Sequence, residues 1–174
     1  MKKKMISIAV TLCLIAAVAA TAGAAGKKYS CTLHGLTFES GAEFSAPEKA
    51  GLDAFMVLHP RKAKPGKEKM GIMAVLYTRV TQKSMGMKDA GLLDYTRSVF
   101  MGVVKAGKPT ERMFAGKKVR GDVAEKKIPV PMTVETYVLT LANGSRVGIS
   151  FNYIPQFKAE AEKIIAEIAA SIRE

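Results

Sequence analysis

An apolar stripe with helical spacing runs along the last part of the chain. Its members recur every three or four residues: Phe157, Ala161, Ile164, Ile165, Ile168 and Ile172. Charged side chains fall on the other side, and Pro155 suits a first helical turn because its missing N–H would have no partner there. A helix with one apolar face is stable when that face covers another apolar surface. The sequence therefore predicts a C-terminal helix packed on a β-sheet.

Two alternating segments predict a hairpin within that sheet. Residues 133–141 alternate between two faces, and residues 147–151 do the same. Asn143 and Gly144 lie between them, and both residue types tolerate the positive φ of a two-residue hairpin turn. We expect this hairpin to lie directly before the final helix.

Shorter runs of apolar or β-branched residues predict further strands. They are Tyr29 to Leu33, Leu36 to Glu39, Phe55 to Leu58 and Ile72 to Thr78, with a polar, β-like stretch from Met113 to Ile128. The third and fourth runs flank a connection rich in lysine, proline and glycine, which predicts a second hairpin with a basic tip.

The hydrophobic period changes in the middle of the chain, over Ser84 to Val104. The residues that share one helical face there are Leu92, Thr96, Val99, Phe100 and Val103. Asp89 is expected to cap this helix, and Gly107 and Pro109 to end it. The order strands, helix, strands, helix predicts an α+β fold, an antiparallel β-sheet with helices packed on it as an α/β/α sandwich. The length predicts one domain over residues 26–174.

Residues 1–25 have the composition of a secretory signal peptide. Three lysines precede an uncharged apolar stretch, Met5 to Ala20, and small residues follow it. The stretch is shorter than the ~20 residues of a membrane-spanning helix, so we expect cleavage near Ala22–Ala25 rather than an uncleaved anchor. Leu12 precedes Cys13 where lipid attachment needs a small residue. The expected location is periplasmic or secreted, with no transmembrane segment after signal removal.

The chain is strongly basic. It has 27 Lys and Arg against 15 Asp and Glu, a net charge of +12, and without Lys2, Lys3 and Lys4 it has 24 against 15, or +9. Such a surplus favours an anionic lipid, a glycan or an acidic protein as partner, and the expected compartment excludes nucleic acid. The residues predicted to bind this partner lie in basic loops: Arg61, Lys62, Lys64, Lys67, Lys69, Lys117, Lys118 and Arg120. The alternative is a set of separate solvated loops whose lysines keep sheet edges from pairing.

The sequence predicts no catalytic site, cofactor or metal centre. Cys31 is the only cysteine after the signal, and with His34 and His59 it is the candidate for a nucleophilic site. Met85 and Met87 are soft sulfur donors that suit Cu(I), although carriers of copper use several such pairs. We expect a binding or accessory protein that is not an enzyme. A small exported enzyme and a copper carrier stay open as alternatives.

The hairpin at Val138 to Phe151, with its turn at Asn143 and Gly144, precedes the helix at Phe157 to Ile172. A signal peptide, strands, a middle helix and this ending resemble the PsbP-like and DcrB-like exported domains. The resemblance covers the last third of the chain in detail and the rest by the order of elements. It implies an α/β/α sandwich and a non-catalytic accessory or binding role. It carries over no site residues, because that group shares no catalytic set.

Overall fold

An antiparallel sheet organises the part of the chain that the computed structural model describes, residues 29–33, 36–50, 54–59, 73–79, 86–101, 106–127 and 131–174. The strands are β1 (Tyr29–Leu33), β2 (Leu36–Ser40), β3 (Glu48–Lys49), β4 (Ala54–His59), β5 (Met73–Arg79), β6 (Lys108–Phe114), β7 (Lys117–Lys126), β8 (Met132–Thr140) and β9 (Arg146–Tyr153). Seven of them form one sheet in the order β3-β4-β5-β9-β8-β7-β6, and β1 and β2 form a separate hairpin.

Two helices pack on this sheet, so the predicted α+β fold is confirmed. They are α1 (Asp89–Met101) and α2 (Lys158–Ser171), and a 3₁₀ turn at Pro155–Phe157 leads into α2. The predicted apolar stripe is the buried side of α2: Ile165 and Ile168 are fully buried and Ile164 is 5% exposed. Burial of such side chains stabilises the fold by about 1.5–3 kcal/mol each.

The two helices cover opposite faces of the sheet. Tyr137, Ile149 and Phe151 share one face by register, and they join the side chains of α2 in the main hydrophobic core. Asp122 and Thr136 share the other face by register, and Asp122 accepts a hydrogen bond from Arg97 of α1. The sheet is therefore the middle of three layers.

The β1–β2 hairpin and the C-terminus are fastened to each other. Glu167 of α2 accepts hydrogen bonds through Oε2 from the Ser40 hydroxyl at 2.9 Å and from the Gly41 N–H at 2.8 Å. Thr37 and Arg173 exchange backbone hydrogen bonds of 2.7 and 2.8 Å. These contacts hold α2 and the last residues of the chain against the β1–β2 hairpin.

Three local predictions need correction. The turn between β8 and β9 is not a two-residue turn: Leu141 and Ser145 close it, and of Asn143 and Gly144 only Gly144 has a positive φ, at 79°. Asp89 does begin α1, but its carboxylate accepts a hydrogen bond from Arg146 at 2.5 Å. The sequence predicts a strand-like stretch that begins at Met113, with Pro109 as a helix-ending residue, whereas Pro109 lies within strand β6 (Lys108–Phe114).

No helix among the described residues is long and apolar enough to cross a membrane. The predicted signal peptide, residues 1–25, lies outside the described residues.

Candidate binding cleft

A cleft opens where β7 and β8 part. The two strands pair from Gly121, opposite Tyr137, to Lys126, opposite Met132. Beyond Gly121, residues Lys117–Arg120 of β7 pair with β6, and residues 138–140 of β8 pair with β9. The ends of both strands line a cavity of about 830 Å³. This volume lies within the ~300–1,000 Å³ of small-molecule binding pockets.

A glycine lets the strands diverge at this point. A Cβ at Gly121 would lie 2.2 Å from the carbonyl oxygen of Thr136 and 2.5 Å from the Tyr137 ring. Contacts this short are sterically forbidden, so only glycine allows the backbone to approach β8 so closely before β7 turns away.

The β6–β7 ribbon is held away from β8 at its tip. Its turn consists of Ala115 and Gly116, whose φ angles of 46° and 78° are both positive, as in a type I′ hairpin turn. The Ala115 N–H donates to the Ala169 carbonyl of α2 at 2.8 Å. The last carbonyls of a helix lack partners within the helix, so the end of α2 supplies an acceptor for the ribbon.

Apolar side chains form much of the cleft wall, and they come from every layer of the fold. Those lining the cavity are Leu36, Leu93, Phe114, Val119, Val138, Leu139, Leu141 and Ile172. Leu36, Phe114 and Ile172 belong to the main core, so the cleft reaches from solvent to the edge of that core.

Three cations follow one another along the β7 side of the cleft: Lys117, Lys118 and Arg120. Lys118 and Arg120 lie 2.5 and 3.6 Å from the carboxylate of Glu111, and their side chains are 67% and 93% exposed. The hydrogen bond from Lys118 is the main cause that lowers the pKa of Glu111. One carboxylate therefore faces two cations, and this wall keeps a positive surplus.

The acidic groups at the cleft are already bound. Asp89 pairs with Arg146 at 2.5 Å, and Glu174 accepts a hydrogen bond from the Ala142 N–H at 2.6 Å. Arg173, which also lines the cavity, pairs with Glu39 at 2.8 Å. Asp89 is therefore neutralised by Arg146, while Glu174 keeps its negative charge because its partner is a neutral N–H; besides Arg173, the exposed cations of the cleft are those of β7.

The predicted anion-binding residues fall into two groups. Lys117, Lys118 and Arg120 meet at the cleft, although they lie on strand β7 rather than in a loop. The others, Arg61, Lys62, Lys64, Lys67 and Lys69, lie outside the described residues. Whether the two basic segments converge stays a prediction.

Arg112 belongs to a buried network that the sequence analysis missed. Glu135, 3% exposed, accepts hydrogen bonds from Arg112 at 3.0 Å and from the hydroxyls of Tyr137 and Tyr153, each at 2.8 Å. Arg112 also donates to Glu162 of α2 at 2.8 Å and to the Tyr137 hydroxyl at 3.2 Å. The network ties β6, β8, β9 and α2 together next to the ribbon.

Burial and charge shift the titration of this network. Burial raises the pKa of Tyr137 and of Tyr153, and the nearby Glu135 carboxylate raises both further. Burial alone would lower the pKa of Arg112, but its hydrogen bonds to Tyr137 and Glu162, together with the charge of Glu135, raise it. Both tyrosines are thus held protonated and Arg112 charged.

A second buried ion pair lies on the opposite face. Arg97 is 1% exposed; it donates to Asp94 at 2.7 Å and also to Asp122. Thr136, Ser150 and Asn152 are fully buried on the same side of the sheet. The polar residues that alternate along β8 and β9 were the sequence signal for a polar interface beneath α1.

The alternative sites are only partly described. Cys31 lies on β1 and His59 on β4, strands of different sheets, and His34 lies outside the described residues. Met85 also lies outside them, while the Met87 carbonyl accepts a hydrogen bond from Arg146. Among the described residues, no three His, Cys, Asp or Glu side chains cluster as a metal site would require.

No family model matches this chain, and no curated protein matches its sequence. Among solved structures, it is similar to a Pseudomonas aeruginosa protein of unknown function described as a putative regulator. The two share 8% identity, the match covers 79% of this chain and 90% of that one, and the TM-score is 0.41. A likeness of this degree supports no inference about function.

Proposed function

We propose that this protein is an exported, non-catalytic binding or accessory protein that recognises an anionic partner through the cleft between β7 and β8. The observation that carries the proposal is the row Lys117, Lys118 and Arg120 beside apolar wall residues of the same cavity. An accessory role of this kind is also what the resemblance to PsbP-like and DcrB-like exported domains implies.

The charge of the whole chain supports the same proposal. Without Lys2, Lys3 and Lys4 the chain has a net charge of +9, which attracts anions over long range, and the exposed cations on the β7 side of the cleft concentrate them further. The side chains of Lys118 and Arg120 are mostly exposed, so their pairs with Glu111 are weak and an incoming anion can compete with them. Binding through such exposed cations weakens as salt is added.

The test measures binding to two anionic probes at about 20 mM and about 300 mM salt, a range over which screening changes strongly. The probes are phosphatidylglycerol vesicles, with phosphatidylcholine vesicles as the neutral reference, and fluorescent poly-glutamate. We expect salt-sensitive binding to at least one anionic probe. Binding to neither probe at low salt would refute the proposal.

Matched variants locate the site. Lys117→Gln/Lys118→Gln/Arg120→Gln removes the cleft cations, and Lys127→Gln/Lys158→Gln/Lys163→Gln removes three exposed lysines that do not line the cavity. At about 0.2–1 kcal/mol for each exposed pair, the cleft variant should lose about tenfold in affinity. Equal losses in both variants would show that net charge, not the cleft, binds the anion.

Cell fractionation with N-terminal sequencing tests the compartment. We expect the protein outside the cytoplasm, with an N-terminus near residues 23–26. A cytoplasmic protein that keeps its N-terminal methionine would refute export.

A further inference from the structure

We infer that the anionic partner is an extended acidic segment of another protein, which enters the cleft as an additional β-strand between β7 and β8. This inference rests on the proposed function, because it names the partner of the same cleft. The observation behind it is that the open edges of two neighbouring strands face a single cavity.

The backbone supplies the first argument. Residues Lys117–Arg120 pair with β6 on one side, residues 138–140 pair with β9 on one side, neither segment pairs with the other, and both line the cavity. A strand with a neighbour on one side directs alternate N–H and C=O groups toward the other side. An extended peptide between them would bond to both edges, which is the β-strand addition used by many peptide-binding domains.

The size of the cavity agrees with a short strand. A residue in a packed sheet occupies roughly 160 Å³, given a rise of ~3.3 Å, a strand spacing of ~4.8 Å and a layer distance of ~10 Å. The cavity of about 830 Å³ therefore holds about five strand residues. The part of β7 that lacks β8 as a neighbour, Lys117–Arg120, is four residues long, so a strand of that length fits the cavity.

The side chains of the walls define the pattern of the partner. Lys118 and Arg120 pair with Met113 and Glu111, and by register they lie on the face of the sheet that α1 covers. On the other face the cleft is lined mainly by apolar side chains, among them Leu36, Leu139 and Ile172, and Lys117 lies on that face by register, at the tip of the ribbon. Successive residues of a strand point to opposite faces. The partner that fits alternates acidic residues toward the cations with apolar residues toward the core.

The test uses the full protein and a fluorescent hexapeptide, blocked at both ends, that alternates glutamate with valine. Two further peptides carry N-methyl groups on either the glutamates or the valines, so each lacks the N–H donors of one edge. A strand bonded to β7 and β8 together requires both sets of donors. We expect each methylated peptide to bind at least tenfold more weakly than the parent, and a lysine–valine peptide to show no binding.

Hydrogen exchange supplies a second readout that depends on no variant. The parent peptide should slow exchange in both Lys117–Arg120 and residues 138–140, with no change in α2. Protection of one segment alone would refute insertion between the strands.

The outcomes separate this inference from the proposed function. If the methylated peptides bind as well as the parent, and the Lys117→Gln/Lys118→Gln/Arg120→Gln variant still loses binding, strand addition is wrong and anion recognition stands. If the parent peptide fails while phosphatidylglycerol vesicles bind, the partner is a lipid surface and the inference is wrong. If neither probe binds, both proposals fall.

Discussion

Arg112 should be one of the most sensitive positions in the protein, although no sequence pattern singled it out. Its guanidinium makes hydrogen bonds to Glu135, Glu162 and Tyr137, and Glu135 is 3% exposed. Replacement by methionine keeps most of the aliphatic volume and removes all three bonds. Glu135 then stays buried with only the two tyrosine hydroxyls as donors.

The size of the effect follows from burial. Breaking a buried ion pair costs about 3–5 kcal/mol. The Arg112 side chain is 21% exposed and that of Glu162 is 38% exposed, so water screens the outer bond. We therefore expect Arg112→Met to lower the free energy of unfolding by about 3 kcal/mol. With an m-value of about 2 kcal/mol/M, the urea midpoint should fall by about 1.5 M.

A double-mutant cycle tests the reasoning. Adding Glu135→Leu removes the stranded carboxylate, so the double variant should be about 2 kcal/mol more stable than the sum of the single effects. Arg173→Met is the matched control, because it breaks an exposed pair with Glu39 and should cost at most about 1 kcal/mol. An Arg112→Met effect equal to that of the control, or additivity within about 0.5 kcal/mol, would refute it.

Two further predictions concern the same end of the sheet. Gly121→Ala places a Cβ 2.2 Å from the Thr136 carbonyl oxygen, so thermal unfolding should show a loss of stability of about 1–3 kcal/mol. Gly91→Ala in α1 is the control. Its Cβ meets no atom closer than 3.8 Å, so this variant should be neutral or stabilising. Equal stability of the two variants would contradict the close approach. The pKa values of Tyr137 and Tyr153 are raised in the folded state. Above about pH 10 these tyrosines therefore lose their protons in the unfolded chain before they do in the folded one. The free energy of unfolding should then fall by about 1.4 kcal/mol per pH unit for each tyrosine. Urea titrations from about pH 9 to about pH 11 should show a shallower fall for Tyr153→Phe, and identical slopes would exclude this coupling.

The sequence predicted the elements whose signals are local. The stripe of α2 and the alternation of β8 and β9 each lie within one segment, and the structure confirms all three. β6 was missed because it contains Pro109 and alternates exposed polar residues, and proline is tolerated only in edge strands. Residues 108–114 form a strand because they pair with β7, and this pairing is a contact between separate segments of the chain rather than a local pattern.

The candidate site was predictable in charge but not in shape. The basic residues in the sequence predicted Lys117, Lys118 and Arg120 as an anion-binding set in a loop, whereas they lie on strand β7. Their placement on a strand depends on the turn at Ala115, a residue type with no preference for positive φ. The cleft itself depends on where β7 stops pairing with β8, and no local pattern encodes that register.

The two interpretations of these cations need not compete. An open strand edge invites pairing with any exposed strand, and charged side chains, lysine above all, discourage it. On β7 these positive charges repel a cationic strand. A neutral strand would remove water from the cations without supplying an opposite charge, which is unfavourable, whereas an acidic strand neutralises the cations. If the proposed strand addition is right, positive charge beside two unpaired edges would disfavour cationic and neutral strands and favour a segment of opposite charge. On this reasoning, the wall that protects the protein from indiscriminate strand pairing is also the one that gives the cleft its specificity.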